Sequence, residues 1–140
     1  MKAIMYTEYG SPDVLQLKEI EKPTPKDNEV LIRIEATTVT AVDSTFRQGA
    51  SLSGRFYTGL TRPKRAVLGS TLAGEVVAVG TAVTRFKVGD QLFGATADFG
   101  THAEYICLPE DGALAIKPAS ISYEEAVATN AVLTALPFLR

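Results

Sequence analysis

The sequence predicts a mainly β fold, a small barrel or sandwich accompanied by two or three short helices. Three stretches carry that reading. Leu68 to Gly94 sets the β-branched run Val76-Val77-Ala78-Val79 between glycine turns, and the turn Val88-Gly89-Asp90 leads to a second apolar run, Gln91-Leu92-Phe93-Gly94. Glycine-punctuated runs of this kind read as strands with corners. Glu29 to Val39 sets Val30, Ile32 and Ile34 against Leu31, Arg33 and Glu35, a period of two that suits a strand. Thr101 to Leu108 forms a third such run after the Gly100 turn.

The remaining elements follow in chain order. Lys2 to Tyr6 is a short apolar strand, Tyr9 to Asp13 a turn, and Leu15 to Ile20 alternates as a half-buried strand. Pro23 to Asn28 is a polar connection. Val42, Phe46 and Arg47 recur at helical spacing after Thr40 and Ala41, and Gly49 ends that helix. Residues 50–66 lack periodicity and hold two glycines and a proline, so they read as a long loop or irregular helix over the barrel mouth. Arg62, Lys64 and Arg65 there read as a solvated face rather than a phosphate site. Phe56 and Tyr57 suit either stacking on a planar substrate or plugging the loop against the barrel. Ala113 to Lys117 is the last strand, stopped by Pro118. Ser122 and Glu125 then form a capping box that opens a helix, and Pro137 kinks or ends it.

Composition narrows the function. With 140 residues the chain is one domain, able to bury about two-thirds of its unfolded surface. A net charge of −2 gives no electrostatic footprint for nucleic acid or an anionic membrane. No apolar run approaches the ~18 residues of a membrane span, and the N-terminus turns polar too early for a signal peptide. A single cysteine, Cys107, rules out an internal disulfide and suits a cytoplasmic setting. No basic partner lies near it in sequence, so it reads as a small hydrophobe rather than a nucleophile. His102, the only histidine, reads as an ordinary strand residue.

These residues resemble a known family. Gly69-Ser70-Thr71-Leu72-Ala73-Gly74-Glu75-Val76, Val79-Gly80 and Val88-Gly89-Asp90-Gln91-Leu92-Phe93-Gly94 are similar to the G-x-D-x-A-G-x-V, V-G and V-G-D-x-V-x-G signatures of the medium-chain dehydrogenase/reductases, in their zinc-free quinone-oxidoreductase branch. Thr71 stands where that branch usually shows Asp. The opening Met1-Lys2-Ala3-Ile4, the strand Glu29-Val30-Leu31-Ile32-Arg33-Ile34, the run Ala103-Glu104-Tyr105 and Ser122 to Ala126 resemble the same family. Asp43, Arg47 and Gly49 match its N-P-x-D and R-x-G, with Thr40 in place of Asn.

The resemblance implies a GroES-like, partly open β-barrel as the catalytic domain over residues 1–128. It also implies that 129–140 begin the connecting helix to a Rossmann domain of the same parent chain. Such a parent is an NAD(P)H-dependent, zinc-independent oxidoreductase passing hydride to a quinone, enone or aldehyde, in a homo-oligomer. NADPH or NADH is its cofactor, and a small-molecule acceptor its partner. The expected site residues are Thr40, Asp43, Arg47, Ser70 and Thr71, with Thr40 and Thr134 facing the cofactor. Thr40 alternatively only ends a strand, and Asp43 and Arg47, four apart on a helix, alternatively form only a structural pair. No zinc is expected, because the positions that supply ligands in zinc-dependent relatives hold Thr40, Ala41 and Ser70, and a four-cysteine lobe is impossible. The chain has no G-x-G-x-x-G, so it is expected to be a fragment that grips a pyrophosphate poorly. A stand-alone barrel acting as a binding or co-chaperonin-like module is the alternative, and the connector-like apolar tail at 130–140 argues against it.

Overall fold

The computed structural model describes residues 1–49, 55–56, 59–64 and 66–135, with the side chains of 130–135 excepted. Seven strands and two α-helices are defined within them: β1 (Lys2–Met5), β2 (Gln16–Glu19), β3 (Glu29–Thr37), α1 (Ala41–Gln48), β4 (Thr71–Val79), β5 (Gln91–Ala95), β6 (Tyr105–Pro109), β7 (Leu114–Ile116) and α2 (Tyr123–Ala135). A 3-10 turn at Pro12–Val14 joins β1 to β2, with Pro12 preset for its first turn. The mainly β, partly open architecture expected from the sequence is present, as an antiparallel sheet β6-β3-β4-β5-β7 and a two-stranded ribbon β1-β2.

The period of two in the sequence builds two cores. On one face of the sheet Val30, Ile32, Leu72, Val76, Leu92, Leu108 and Leu114 pack together with Phe86. β4 turns Leu72 and Val76 to that face and Ala73 to the other, where Ala126 and Val127 of α2 cover it. Small residues let the helix sit close on the sheet. β3 departs from simple alternation, since Leu31 is also buried, between its pairing partners Ala78 and Cys107. A third cluster, Tyr6, Leu68 and Phe99, lies beneath α1 and contacts Phe46.

The ribbon is stitched to the large sheet rather than stacked on it. Ile4 N–H donates to His102 O at 2.9 Å, Glu104 N–H to Lys2 O at 3.0 Å and Tyr6 N–H to Ala66 O at 2.9 Å. Every residue of β2 is exposed, Leu17 to 65%. The half-buried strand expected at Leu15 to Ile20 is thus an outer strand: it pairs with β1 alone, and among the described residues no second layer covers it. The expected strand Thr101 to Leu108 begins only at Tyr105, because 101–104 turn along residues 68–69 and form the seam with β1. Phe56 is exposed, so it does not plug the loop against the barrel. Tyr57, Arg65 and the tail from 136 lie outside the described residues.

Both helices begin on the capping logic of their sequences. Ser122 N–H donates to Glu125 Oε2 at 2.8 Å, and Glu125 N–H donates back to Ser122 Oγ at 3.1 Å. The buried Lys117 holds the turn into this helix, its ammonium donating to Pro118 O at 3.1 Å and Ile121 O at 2.6 Å. α1 closes on Gly49, whose φ of 60° is the left-handed conformation that a Cβ disfavours. No helix among the described residues is long and apolar enough to cross a membrane.

Candidate functional site

The candidate residues gather where β3 ends and β4 begins. β3 delivers Thr37 and Thr38, α1 starts just after them, and the turn Gly69-Ser70 feeds β4. Asp43, in the first turn of α1, fastens the two. Its Oδ2 accepts from Thr40 N–H at 2.7 Å and from the Thr40 hydroxyl at 2.9 Å. Its Oδ1 accepts from Gly69 N–H at 3.0 Å. With 5% exposure this carboxyl group has no water to replace those donors. Asp43 is therefore a fastener of the site, spending its acceptors on backbone and on Thr40.

That arrangement sorts the remaining hydroxyls by what they can offer. Thr40 has its proton engaged with Asp43 and keeps lone pairs only, so it serves as an acceptor. Thr71 is buried and its hydroxyl lies 2.6 Å from that of Thr38. The Ser70 hydroxyl has no hydrogen-bond partner among the described residues, although its carbonyl accepts from Thr96 N–H at 2.8 Å. Ser70 is half-buried, and it holds the free donor of this group.

Arg47 stands apart from the others. Its guanidinium donates to the Gly10 carbonyl, and Gly10 N–H donates to the Arg47 carbonyl at 3.1 Å. It is 7% exposed, and among the described residues no ion pair joins it to Asp43. The helical spacing that suggested a pair instead ties α1 at two points, to the β4 turn and to the turn before β2. Thr134 falls in the last turn of α2, and its side chain is outside the described residues.

Thr37, Thr38, Thr101 and His102, to which sequence reasoning assigned no role, back the site. Thr37 Oγ1 donates to Thr71 O at 2.7 Å, so the 2.9 Å contact between Thr37 and Thr101 hydroxyls must have Thr101 as donor. His102 Nε2 lies 3.0 Å from Thr38 O. Phe99 delivers this segment at φ 59°, a left-handed conformation costing about 1–3 kcal/mol for such a residue. Its buried ring, edge-on to Phe46 with centroids 4.9 Å apart, holds it there. The available signal was the threonine doublet at a strand end facing a Thr-His pair after glycine.

Beside the site lies an open groove of about 610 Å³ between the ribbon and the end of β3. Ile4, Leu15, Leu17 and Val39 line it, with Asp43 and Arg47 at its floor. Chemistry elsewhere is quiet. Burial pushes the Cys107 thiol up, away from the reactive thiolate. Burial, and then the neighbouring Tyr9, pushes Tyr6 up to about 12, and its hydroxyl is buried without a partner. Among the described residues no three His, Cys, Asp or Glu side chains gather as metal ligands.

Comparison with known proteins places the chain in a family. The model of the alcohol dehydrogenase GroES-like domain matches residues 26–118. The chain is 35% identical over 127 residues to a quinone oxidoreductase of Pseudomonas aeruginosa, covering 91% of this chain and 36% of that protein. It is 36% identical over 135 residues to the chloroplastic NADPH-dependent alkenal/one oxidoreductase of Arabidopsis thaliana, covering 90% of this chain and 33% of that protein. Among solved structures, the quinone oxidoreductase of Escherichia coli complexed with NADPH superposes with a TM-score of 0.84 at 29% identity, covering all of this chain and 40% of that one. The chain thus spans between a third and two-fifths of the length of these proteins.

Proposed function

The chain belongs to the alcohol dehydrogenase GroES-like domain family, and from that premise we propose that it is the acceptor-side domain of an NAD(P)H-dependent oxidoreductase working without zinc. The acceptor is a quinone or an activated enone or aldehyde. The observation that carries this reading is the Ser70 hydroxyl, without a hydrogen-bond partner among the described residues, on a turn that Asp43 fixes through Gly69. A rigid, partly desolvated donor of this kind is what a carbonyl oxygen gaining negative charge requires.

The roles follow from the hydrogen bonds. Ser70 donates to the acceptor oxygen. Thr40, whose proton is spent on Asp43, accepts from an N–H such as that of the nicotinamide amide. Thr71 and Thr38 pair with each other and shape the wall. NADPH or NADH, when bound, supplies the hydride. The chain has no glycine-rich phosphate loop, so the pyrophosphate is held by a Rossmann domain of the same protein. In this reading residues 1–128 form the acceptor domain and 129–140 open the connector, with Thr134 toward the cofactor. Residues that ligate zinc elsewhere are replaced by Thr40, Ala41 and Ser70, whose neutral side chains are poor zinc ligands.

The test is NADPH oxidation by the protein expressed from its complete reading frame, offered quinones, enones and aldehydes, with and without chelator. Turnover that survives chelation is expected. Absence of oxidation with all three acceptor classes would remove the reading.

A further inference from the structure

We propose that His102 is the positioning residue of this site, holding the end of β3 and the Gly69-Ser70 turn at one fixed separation. Two contacts by one ring support it. Nε2 lies 3.0 Å from Thr38 O, and a carbonyl only accepts, so Nε2 carries the hydrogen and Nδ1 is bare in the neutral ring. The same ring lies against Gly69 through its Cδ2 and Nε2 atoms. A Cβ placed there would lie 2.5 Å from His102 Cδ2 and 2.8 Å from Nε2, and 2.3 Å from Thr101 Oγ1. Gly69, at φ 87°, is thus the residue that admits the imidazole.

The backbone around the ring keeps it in place. His102 N–H donates to Leu68 O at 3.0 Å and its carbonyl accepts from Ile4 N–H at 2.9 Å. The Gly69 that the ring approaches donates its N–H to Asp43, and the Thr38 whose carbonyl it holds is hydrogen-bonded by its hydroxyl to Thr71. Two halves of the site that make their own contacts through Asp43 and through the Thr38–Thr71 pair are therefore braced a third time, from behind, by one side chain. A ring that was only a core filler would meet apolar atoms. This one spends its donor on the strand end and fills the space beside the Gly69 turn.

The inference rests on reading Thr40, Ser70 and Thr71 as the acceptor end, but its test needs no catalysis and so succeeds or fails by itself. His102 is the only histidine, so [15N]histidine labelling gives one unambiguous ring. The neutral ring is expected as the Nε2–H tautomer; an Nδ1–H tautomer would overturn the proposal. Hydrogen exchange then separates bracing from general stability. His102→Leu fills the space without a donor and should speed exchange of the Gly69 amide about tenfold or more, with little change at Val76 in mid-sheet. His102→Gln, which keeps a donor, should restore it to within about threefold. Unchanged Gly69 exchange in the leucine variant, or equal acceleration at Gly69 and Val76 in both variants, would overturn it.

Discussion

Where β3 begins and β4 finishes, exposed charged groups tie the turns together. The Glu110 carboxylate accepts from Thr84 and Arg85 N–H at 2.8 and 2.7 Å, Asp90 receives the Lys87 ammonium at 2.7 Å, and Thr81 donates to Asp27 at 2.7 Å. At the opposite end of the same strands the fasteners include buried groups, Asp43 with its three donors and the Thr71 and Thr101 hydroxyls, alongside the half-buried Thr38 and His102 and the exposed Thr37. One sheet thus carries two kinds of ending. Water competes for every bond at the charged end, so each is worth little and each is replaceable. At Asp43, Thr71 and Thr101 water has little access, and a lost partner strands the other.

The largest effect should follow from breaking the buried end at its centre. Asp43→Ala leaves the Gly69 and Thr40 donors unmatched and should cost roughly 2–4 kcal/mol in urea unfolding. Gly69→Ala forces a Cβ into Thr101 and His102 at a positive φ, and should cost about 2–3 kcal/mol in the same assay. A Gly69→Ala variant as stable as the parent chain would show that the ring does not approach the turn as described.

A smaller effect of opposite sign is expected at Tyr6. Its buried hydroxyl lacks a partner, so Tyr6→Phe should leave stability unchanged or raise it by up to about 1 kcal/mol. Tyr6 also sets an alkaline limit. Its folded value is raised to about 12, so the unfolded chain loses the proton first, and stability falls as pH rises from the ordinary tyrosine value toward about 12. Unfolding followed across that window should show the loss, and Tyr6→Phe should reduce it, leaving the share of Tyr123, which burial also pushes up.

The charged end should give the smallest change, and an acid-dependent one. Hydrogen bonds from the Arg85 and Thr84 amides hold Glu110 below the usual carboxylate range, and the Lys87 ammonium does the same for Asp90. Groups lowered in the fold stabilise it above their ordinary values and lose that contribution as pH falls through the lowered ones. Glu110→Gln should therefore matter less than any variant above, and should flatten the acid limb of the stability profile.

The comparison also explains what was legible in the sequence. Strands β3, β4 and β5 announced themselves because a core face imposes a period of two, and the Ser122–Glu125 cap because it is local. β2 misled, since alternation shows that a strand has two unlike faces but not whether anything covers one. Of the residues proposed from the sequence, Thr40, Asp43, Ser70 and Thr71 lie on touching segments. Their division of labour was not, because the Gly69 amide lies 26 residues from the carboxyl group that receives it. The backing threonines and His102 leave no periodic trace, and only the fold brings them together.

In the proposed function this end of the sheet presents Ser70 to an acceptor oxygen. Steady-state kinetics of Ser70→Ala in the complete protein test it most directly, with NADPH and a quinone or enone varied in turn. A kcat lowered by roughly five- to hundredfold is expected, the worth of one hydrogen bond of about 1–3 kcal/mol, with the KM for NADPH little changed. Wild-type kcat in that variant would contradict it.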